Sequence, residues 1–170
     1  MKISVRFLFF AILTLYLTRS VAAQSPPSPS FSIAISAVQN TAKAGSEIKI
    51  TALLKNVSEH DLGIARTTGG HRADSFYTLE VRDQSGNLTP KTVLRREIEE
   101  HGTANGEIVL LGGSVFTHTL KPNKILEGGI VVTNSHDLSK PGRYTIQCQR
   151  FDEETKTIVK SNKLTMTVTP

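Results

Sequence analysis

The sequence predicts an all-β fold, an antiparallel sandwich of about seven short strands with one irregular insertion, and a barrel is the lesser alternative. Three observations support it. From Phe31 onward, apolar residues recur with a period of two rather than 3.6. Turn-forming Gly, Pro, Asn and Asp residues separate these runs at short intervals. The chain has 170 residues and one cysteine, which is long enough to bury a core without disulfides or a structural metal.

The first 23 residues carry the features of a secretory signal peptide. Two basic residues, an apolar run and small residues before a cleavage site follow one another, namely Lys2 and Arg6, Phe7–Leu17, and Val21 with Ala23. A bilayer-spanning helix needs about 20 apolar residues, and Arg19 interrupts the run too early. We therefore expect cleavage after Ala23 and a secreted or periplasmic protein without membrane insertion.

Signal cleavage lowers the net charge, because three of the 20 basic residues (Lys2, Arg6 and Arg19) leave and all 15 acidic ones stay, so that +5 becomes +2. The densest basic pair, Arg95 and Arg96, is followed at once by Glu97, Glu99 and Glu100. Nucleic-acid binders cluster Lys and Arg on one face. The alternating signs instead predict a solvated mixed-charge surface and no nucleic-acid partner.

Residues Gln24–Ser30 form a Pro/Ser-rich segment. Proline fixes φ and lacks an N–H, so the segment favours an extended polyproline conformation. We expect a tether ahead of a single domain over residues 31–170.

Seven runs in this domain predict strands. The first three show strict alternation, with inward residues Phe31, Ile33 and Ile35, then Ile48, Ile50, Ala52 and Leu54, then Tyr77, Leu79 and Val81. The others are expected near Ser114–Leu120, Gly129–Thr133, Tyr144–Phe151 and Lys163–Val168.

Turn residues separate these strands. Asp83–Asn87 predicts a hairpin turn in which Gly86 and Asn87 tolerate positive φ. Later turns are expected at Lys121–Asn123, Lys140–Gly142 and Asp152–Glu154.

Two connections are too long for hairpin turns. Thr92–Gly113 is expected to be an irregular insertion with at most a helical turn: Leu94 and Ile98 have helical spacing, but the charge order opposes the helix dipole. His60–Ser75 contains Gly69-Gly70-His71-Arg72 and is expected to be mobile. Long loops on a rigid sandwich commonly carry binding residues.

The segment Asp137–Ile146 resembles the turn into the penultimate strand of immunoglobulin-like (Ig-like) sandwiches. There a leucine closes the core end, Pro-Gly turns the chain, and a tyrosine hydroxyl bonds a backbone group just upstream. The resemblance assigns these roles to Leu138, Pro141-Gly142 and Tyr144. It implies an Ig-like antiparallel β-sandwich.

Further motifs extend the resemblance over most of Phe31–Pro170, namely Leu54–Ser58, Leu79–Gly86 and Leu120–Asn123. Their order is similar to small bacterial Ig-like domains of the BsuPI-type proteinase-inhibitor group. It also resembles uncharacterised exported proteins with a Lys160-Ser161-Asn162 stretch and a Thr-rich last strand. Turn and core motifs specify a fold and say little about activity.

No metal-binding pattern emerges. A blue-copper site needs two His and a Cys with a weak axial Met, but no His follows Cys148, and Met166 belongs to another predicted strand. The histidines lack i, i+2 and i, i+4 pairs and are expected to be scattered on the surface: His60, His71, His101, His118 and His136. The acidic turn Asp152–Glu154 lacks the calcium-loop pattern.

Catalytic and cofactor motifs are also missing from the sequence. Gly112-Gly113-Ser114 lacks the Gly-x-Ser-x-Gly elbow, and no glycine pair is followed by the Lys-Ser/Thr of a phosphate loop. Cys148 shares strand parity with Tyr144 and Ile146 and is expected in the core. We expect no catalytic, cofactor or metal residues and no cofactor.

The sequence thus favours a secreted, non-enzymatic Ig-like binding or accessory module. Its expected partner is a protein or cell-surface macromolecule, contacted through loops or an edge strand. The alternative is a proteinase inhibitor presenting an exposed loop such as His60–Ser75, although no intramolecular disulfide can brace it. A hydrolase or metalloenzyme is the least favoured class.

Overall fold

The computed structural model describes residues 27–67, 76–93, 95, 96, 99 and 115–170. These form nine strands: β1 (Phe31–Ser36), β2 (Thr41–Lys43), β3 (Lys49–Asn56), β4 (Leu62–Thr67), β5 (Thr78–Arg82), β6 (Val115–Leu120), β7 (Ile125–Val131), β8 (Gly142–Asp152) and β9 (Thr157–Thr169). A 3₁₀ turn, Val132–Asn134, follows β7. The predicted signal peptide, Gly69–Arg72 and Gly112–Ser114 lie outside the described residues.

The strands form two main sheets and a separate ribbon. One sheet has the order β1-β3-β7 and the other β2-β9-β8-β5, while β4 pairs with β6. All pairings are antiparallel except β2 with β9. In the larger sheet the penultimate strand, β8, lies between the last strand, β9, and β5, as in Ig-like sandwiches. The predicted all-β, Ig-like sandwich is therefore confirmed.

The core follows the alternation read from the sequence. Burial on β1 alternates strictly, with Phe31, Ile33 and Ile35 inside. On β3 the apolar residues Ile50, Ala52 and Leu54 are fully buried. Side chains of successive strand residues point to opposite faces, so these two strands line the sandwich interior against β8 and β9.

The penultimate strand begins with the expected tyrosine corner. The Tyr144 hydroxyl donates a hydrogen bond to the Lys140 carbonyl oxygen at 2.7 Å, and Leu138 is buried at the core end. Gly86 has φ of 83° and Asn123 of 62°, so both predicted turns form. Asn87, by contrast, does not adopt positive φ.

Three strand predictions need correction. The first half of the connection predicted as the mobile loop His60–Ser75 is strand β4, since Leu62 and Ile64 are buried in the core. The strand expected at Gly129–Thr133 is β7, which begins at Ile125 and ends at Val131. The three-residue β2 was not predicted, because a strand this short carries no readable alternation.

The last strand, β9, is also longer than predicted. Its first part was not predicted because a bulge reverses the alternation. Inward positions run through Val159 and Ser161 and then shift to Met166 and Val168. The pairing with β8 jumps from Gln147↔Lys163 to Gln149↔Lys160. An extra residue in one strand moves later side chains to the opposite face. A fixed period of two therefore does not predict the part of β9 that precedes Lys163.

The bulge directs Asn162 toward the other sheet. Its side-chain amide donates to the Ile35 carbonyl oxygen at 3.1 Å, and its Oδ1 accepts from the Ile35 N–H at 2.8 Å. One side chain thus supplies the pair of bonds that a neighbouring strand would make. It joins β1 to β9 and covers the β1 edge.

Ser30, which precedes β1, is bonded to the end of β8. Ser30 is buried, and its N–H and hydroxyl donate to the Asp152 carboxylate at 2.7 and 2.9 Å. Burial alone would raise the pKa of Asp152, but hydrogen bonds from Ser30, Thr155 and Glu154 hold it below its ordinary value. Asp152 is therefore a structural acceptor that fixes the start of β1 to the end of β8.

The insertion begins with a helical turn. Residues 93, 95, 96 and 99 have helical backbone, and the Thr92 hydroxyl accepts from the Arg95 N–H at 3.2 Å. Arg95 also pairs with Glu99 one turn later. Leu94, Ile98 and residues 100–113 lie outside the described residues. Among the described residues, no helix has the length and hydropathy needed to cross a bilayer.

Cys148 lies where the alternation places it, fully buried on the inward face of β8 with Tyr144 and Ile146. Its backbone N–H donates to the Ser161 hydroxyl in the bulge. The thiol therefore belongs to the core.

We expect Cys148 to react slowly with a thiol reagent in the native protein and rapidly after denaturation, because burial restricts access. Cys148→Ala should cost on the order of 1 kcal/mol, the effect of deleting a small buried side chain. Mass-spectrometric labelling kinetics and urea unfolding measure the two effects. Fast native labelling would contradict the core assignment.

Candidate functional site

In the described part of the chain, the β4–β6 ribbon pairs with neither main sheet. Its register pairs Leu62 with Leu120, Ile64 with His118 and Arg66 with Phe116. Leu62 and Leu120 are buried, whereas Phe116 is 42% exposed. The end of the ribbon at Leu62 and Leu120 is therefore buried in the core, and the end near Phe116 is exposed.

The same register brings the two long connections together. Thr67, the last residue of β4, pairs with Val115, the first residue of β6. The connection after Thr67 and the insertion before Val115 therefore meet the ribbon at the same end. Both segments that were predicted to carry binding residues are therefore attached at this end of the ribbon.

Asn56 holds the buried end of the β4–β6 ribbon in place. This side chain is fully buried, and its Nδ2 donates to the carbonyl oxygens of His60 at 2.8 Å and Leu120 at 2.7 Å. Its Oδ1 accepts from the N–H and hydroxyl of Ser58. Asn56 thereby connects β3, the loop leading to β4 and the end of β6.

Arg150 fixes β4 against the larger sheet. Its guanidinium lies over the rings of Phe76 and Tyr77, 5.2 and 5.3 Å from their centroids, and donates to the Ala65 carbonyl oxygen at 3.0 Å. Burial raises the pKa of Tyr77, although the neighbouring Arg150 opposes the shift. A cation thus contacts the β4 backbone at Ala65.

Most sheet edges in the described part of the chain are guarded. Asn162 covers β1, and the return after the hairpin turn covers β5 through the Thr89 N–H bond to the Val81 carbonyl oxygen. Strand β2 has only three residues. On β7, Glu127 is exposed and the Lys49 side chain crosses Gly129. Charges and short strands are the usual protection of edges.

In the described part of the chain, strand β6 has no such protection beyond the Asn56 amide at its last residue, Leu120. Within the described ranges, β4 is the only strand that pairs with it. Its six residues, VFTHTL, include no Lys, Arg, Asp, Glu, Gly or Pro. Val115 and Phe116 are 47% and 42% exposed. A β-prone, uncharged edge of this kind is a template for strand addition.

One histidine departs from the surface prediction. His136 is buried, with its Nδ1 3.0 Å from the Ser135 hydroxyl, beside a cleft of about 230 Å³ that Lys91, Arg95 and Glu99 also line. Burial, together with the charges of Lys91 and Arg95, lowers its pKa to about 4. At neutral pH the imidazole is therefore uncharged and serves as a packed residue.

The other predicted site features stay dispersed. His60 is exposed and 3.0 Å from Glu154, and His118 is half-buried on β6, while His71 and His101 lie outside the described residues. In the described part of the chain, no three His, Cys, Asp or Glu side chains come close enough to hold a metal ion.

No family model matches the chain, and no curated protein matches it. Among solved structures, the CARDB domain of a Pyrococcus furiosus protein aligns with a TM-score of 0.41 and 14% identity, over 82% of this chain and 94% of that domain. A β-glucosidase from Erythrobacter marinus aligns with a TM-score of 0.38 and 10% identity, over 83% of this chain and 16% of the enzyme. At these values neither similarity carries an argument about function.

Proposed function

We propose that this chain is a non-enzymatic binding module that recruits a partner protein by strand addition to β6. The exposed, uncharged β6 edge is the observation that carries the proposal. In this mode an extended segment pairs through main-chain hydrogen bonds, and pockets for alternate side chains give selectivity. Val115 and Phe116 would supply the apolar contacts beside the new strand.

Two further features support the proposal. The hydrogen bonds of Arg150 and Asn56 hold the ribbon against the core. Less conformational entropy is therefore lost when a partner binds. The two long connections join the ribbon at the end formed by Thr67 and Val115, and long loops on a rigid sandwich commonly carry binding residues.

The setting of this function is also a proposal. The sequence features of residues 1–23 support export and cleavage after Ala23, followed by action in the periplasm or outside the cell. The resemblance of the turn and core motifs to the BsuPI-type group supports a bacterial relative of that group, with β6 rather than the His60–Ser75 segment as the contact.

The test places Lys on the exposed β6 positions in Val115→Lys/Thr117→Lys. Mature protein, beginning at Gln24, is used to capture partners from the secreted fraction of its own host. Lys on an edge opposes strand addition, since pairing would desolvate the charge. We expect partner recovery to fall by about tenfold or more.

The matched control puts the same charges on the guarded edge of β1, in Ser32→Lys/Ala34→Lys. Both control positions are exposed, so the control matches the change in net charge. It should retain the partner recovery of the unaltered protein. Equal losses in the two variants, or no loss in the β6 variant, would contradict strand addition at β6.

A further inference from the structure

A second site lies on the other side of β4. A groove of about 570 Å³ runs between residues 61–65 on one wall and residues 150–154, at the end of β8, on the other. No β6 residue lines it. Its volume falls within the range of ligand-binding clefts.

The floor of the groove is apolar. Phe31, Leu62 and Ile64 line it and are each less than 10% exposed, while Phe151 on the rim is 47% exposed. Gly63 lies on the wall between Leu62 and Ile64 and is exposed, with the Thr117 methyl group of β6 3.1 Å from the position that a Cβ of residue 63 would take. Apolar side chains can therefore enter beside an accessible main chain.

The lining is acidic, whereas the chain as a whole has a net charge of +5. Four carboxylates, Asp61, Asp152, Glu153 and Glu154, face one guanidinium, that of Arg150. The Asp152 carboxylate accepts hydrogen bonds from Ser30, which leaves three exposed acidic groups, those of Asp61, Glu153 and Glu154. Cations of a ligand would be attracted to these groups.

Two of these acidic groups already have exposed partners. Glu154 is 3.0 Å from His60, and Glu153 is 3.3 Å from Lys156, with all four side chains well exposed. Ion pairs of this kind contribute roughly 0–1 kcal/mol. A cation carried by a ligand can therefore replace them at little cost.

We infer that this groove binds an extended peptide segment in which basic and apolar residues alternate. About five residues fit along the Asp61–Ala65 wall, at about 3.3 Å per residue. Apolar side chains lie on the Phe31, Leu62 and Ile64 floor, and Lys or Arg side chains reach Asp61, Glu153 and Glu154. The site is independent of the β6 edge.

The test titrates ¹⁵N-labelled mature protein with the acetylated, amidated peptide Lys-Val-Lys-Val-Lys. We expect amide shifts at Gly63 and Phe151 and affinity that falls with added salt. Glu153→Gln/Glu154→Gln should weaken binding by about tenfold, and Phe151→Ala should weaken it as well. The control Glu47→Gln/Glu127→Gln removes two exposed carboxylates outside the groove and should bind normally.

Several results would overturn the inference. Absence of saturable shifts, equal binding of Glu-Val-Glu-Val-Glu, or equal weakening in both double variants would exclude an acidic peptide groove. Shifts confined to Val115–Leu120 would place the peptide on the β6 edge, which removes this site and leaves the proposed function intact. Peptide-independent self-association that covers Phe151 would identify a second copy as the occupant.

Discussion

Replacing Asn56 with Ala is expected to destabilise the protein by about 3 kcal/mol. The side chain is fully buried and makes four hydrogen bonds, to the carbonyl oxygens of His60 and Leu120 and from the N–H and hydroxyl of Ser58. Alanine removes the partner of the Leu120 carbonyl oxygen at a buried contact, whereas the His60 carbonyl oxygen keeps the Ser58 hydroxyl as a donor. Urea unfolding measures the loss.

The loss should be local before it is global. Because Asn56 ties Leu120 to β3, amide exchange along β6 should speed up in Asn56→Ala more than exchange on β8. Asn40→Ala is the control, because Asn40 is exposed and should change stability by less than about 0.5 kcal/mol. A loss below about 0.5 kcal/mol in Asn56→Ala would show that the Asn56 hydrogen bonds contribute little to stability.

Acidification from about pH 6.5 to pH 4 is expected to remove about 3 kcal/mol of stability through His136 alone. The pKa of this residue is lowered from 6.5 to about 4 by burial and by the charges of Lys91 and Arg95. In this window the unfolded chain binds the proton and the folded one does not, so stability falls as the pH falls.

His136→Gln removes the titrating group and should flatten the pH dependence of unfolding between pH 6.5 and pH 4. The variant loses some packing at every pH, but that loss is independent of pH, and the slope identifies the imidazole. Asp152, whose pKa is lowered, loses its contribution at more acidic pH and is separable. An unchanged slope in His136→Gln would contradict a neutral, buried imidazole.

The sequence predicts the sandwich well where one face of a strand is buried. Phe31, Ile33 and Ile35 alternate because the β1 surface faces the core on one side only, and Tyr144 is recognised by its turn. The prediction fails where a local irregularity interrupts the alternation of buried and exposed residues. The β9 bulge reverses the pattern at Ser161, and β4 lies within a segment that contains Gly63 and precedes Gly69-Gly70.

The candidate sites were harder to predict, because each depends on contacts distant in sequence. Arg150 reads as one more exposed charge until the fold places it over Phe76 and beside Ala65. The β6 strand was predicted near its true bounds, but its position at an edge follows from sheet order alone. Asn56 carried one signal, a polar residue in the inward register of β3, where Ala52 and Leu54 precede it.

Hydrogen–deuterium exchange of the mature protein with and without its captured partner tests strand addition most directly. If the partner adds a strand to β6, amides within Val115–Leu120 should gain protection in the complex, and amides within Phe31–Ser36 on the guarded β1 edge should not. Protection confined to other strands or to the groove beside β4, with β6 exchanging as in the free protein, would contradict strand addition at β6.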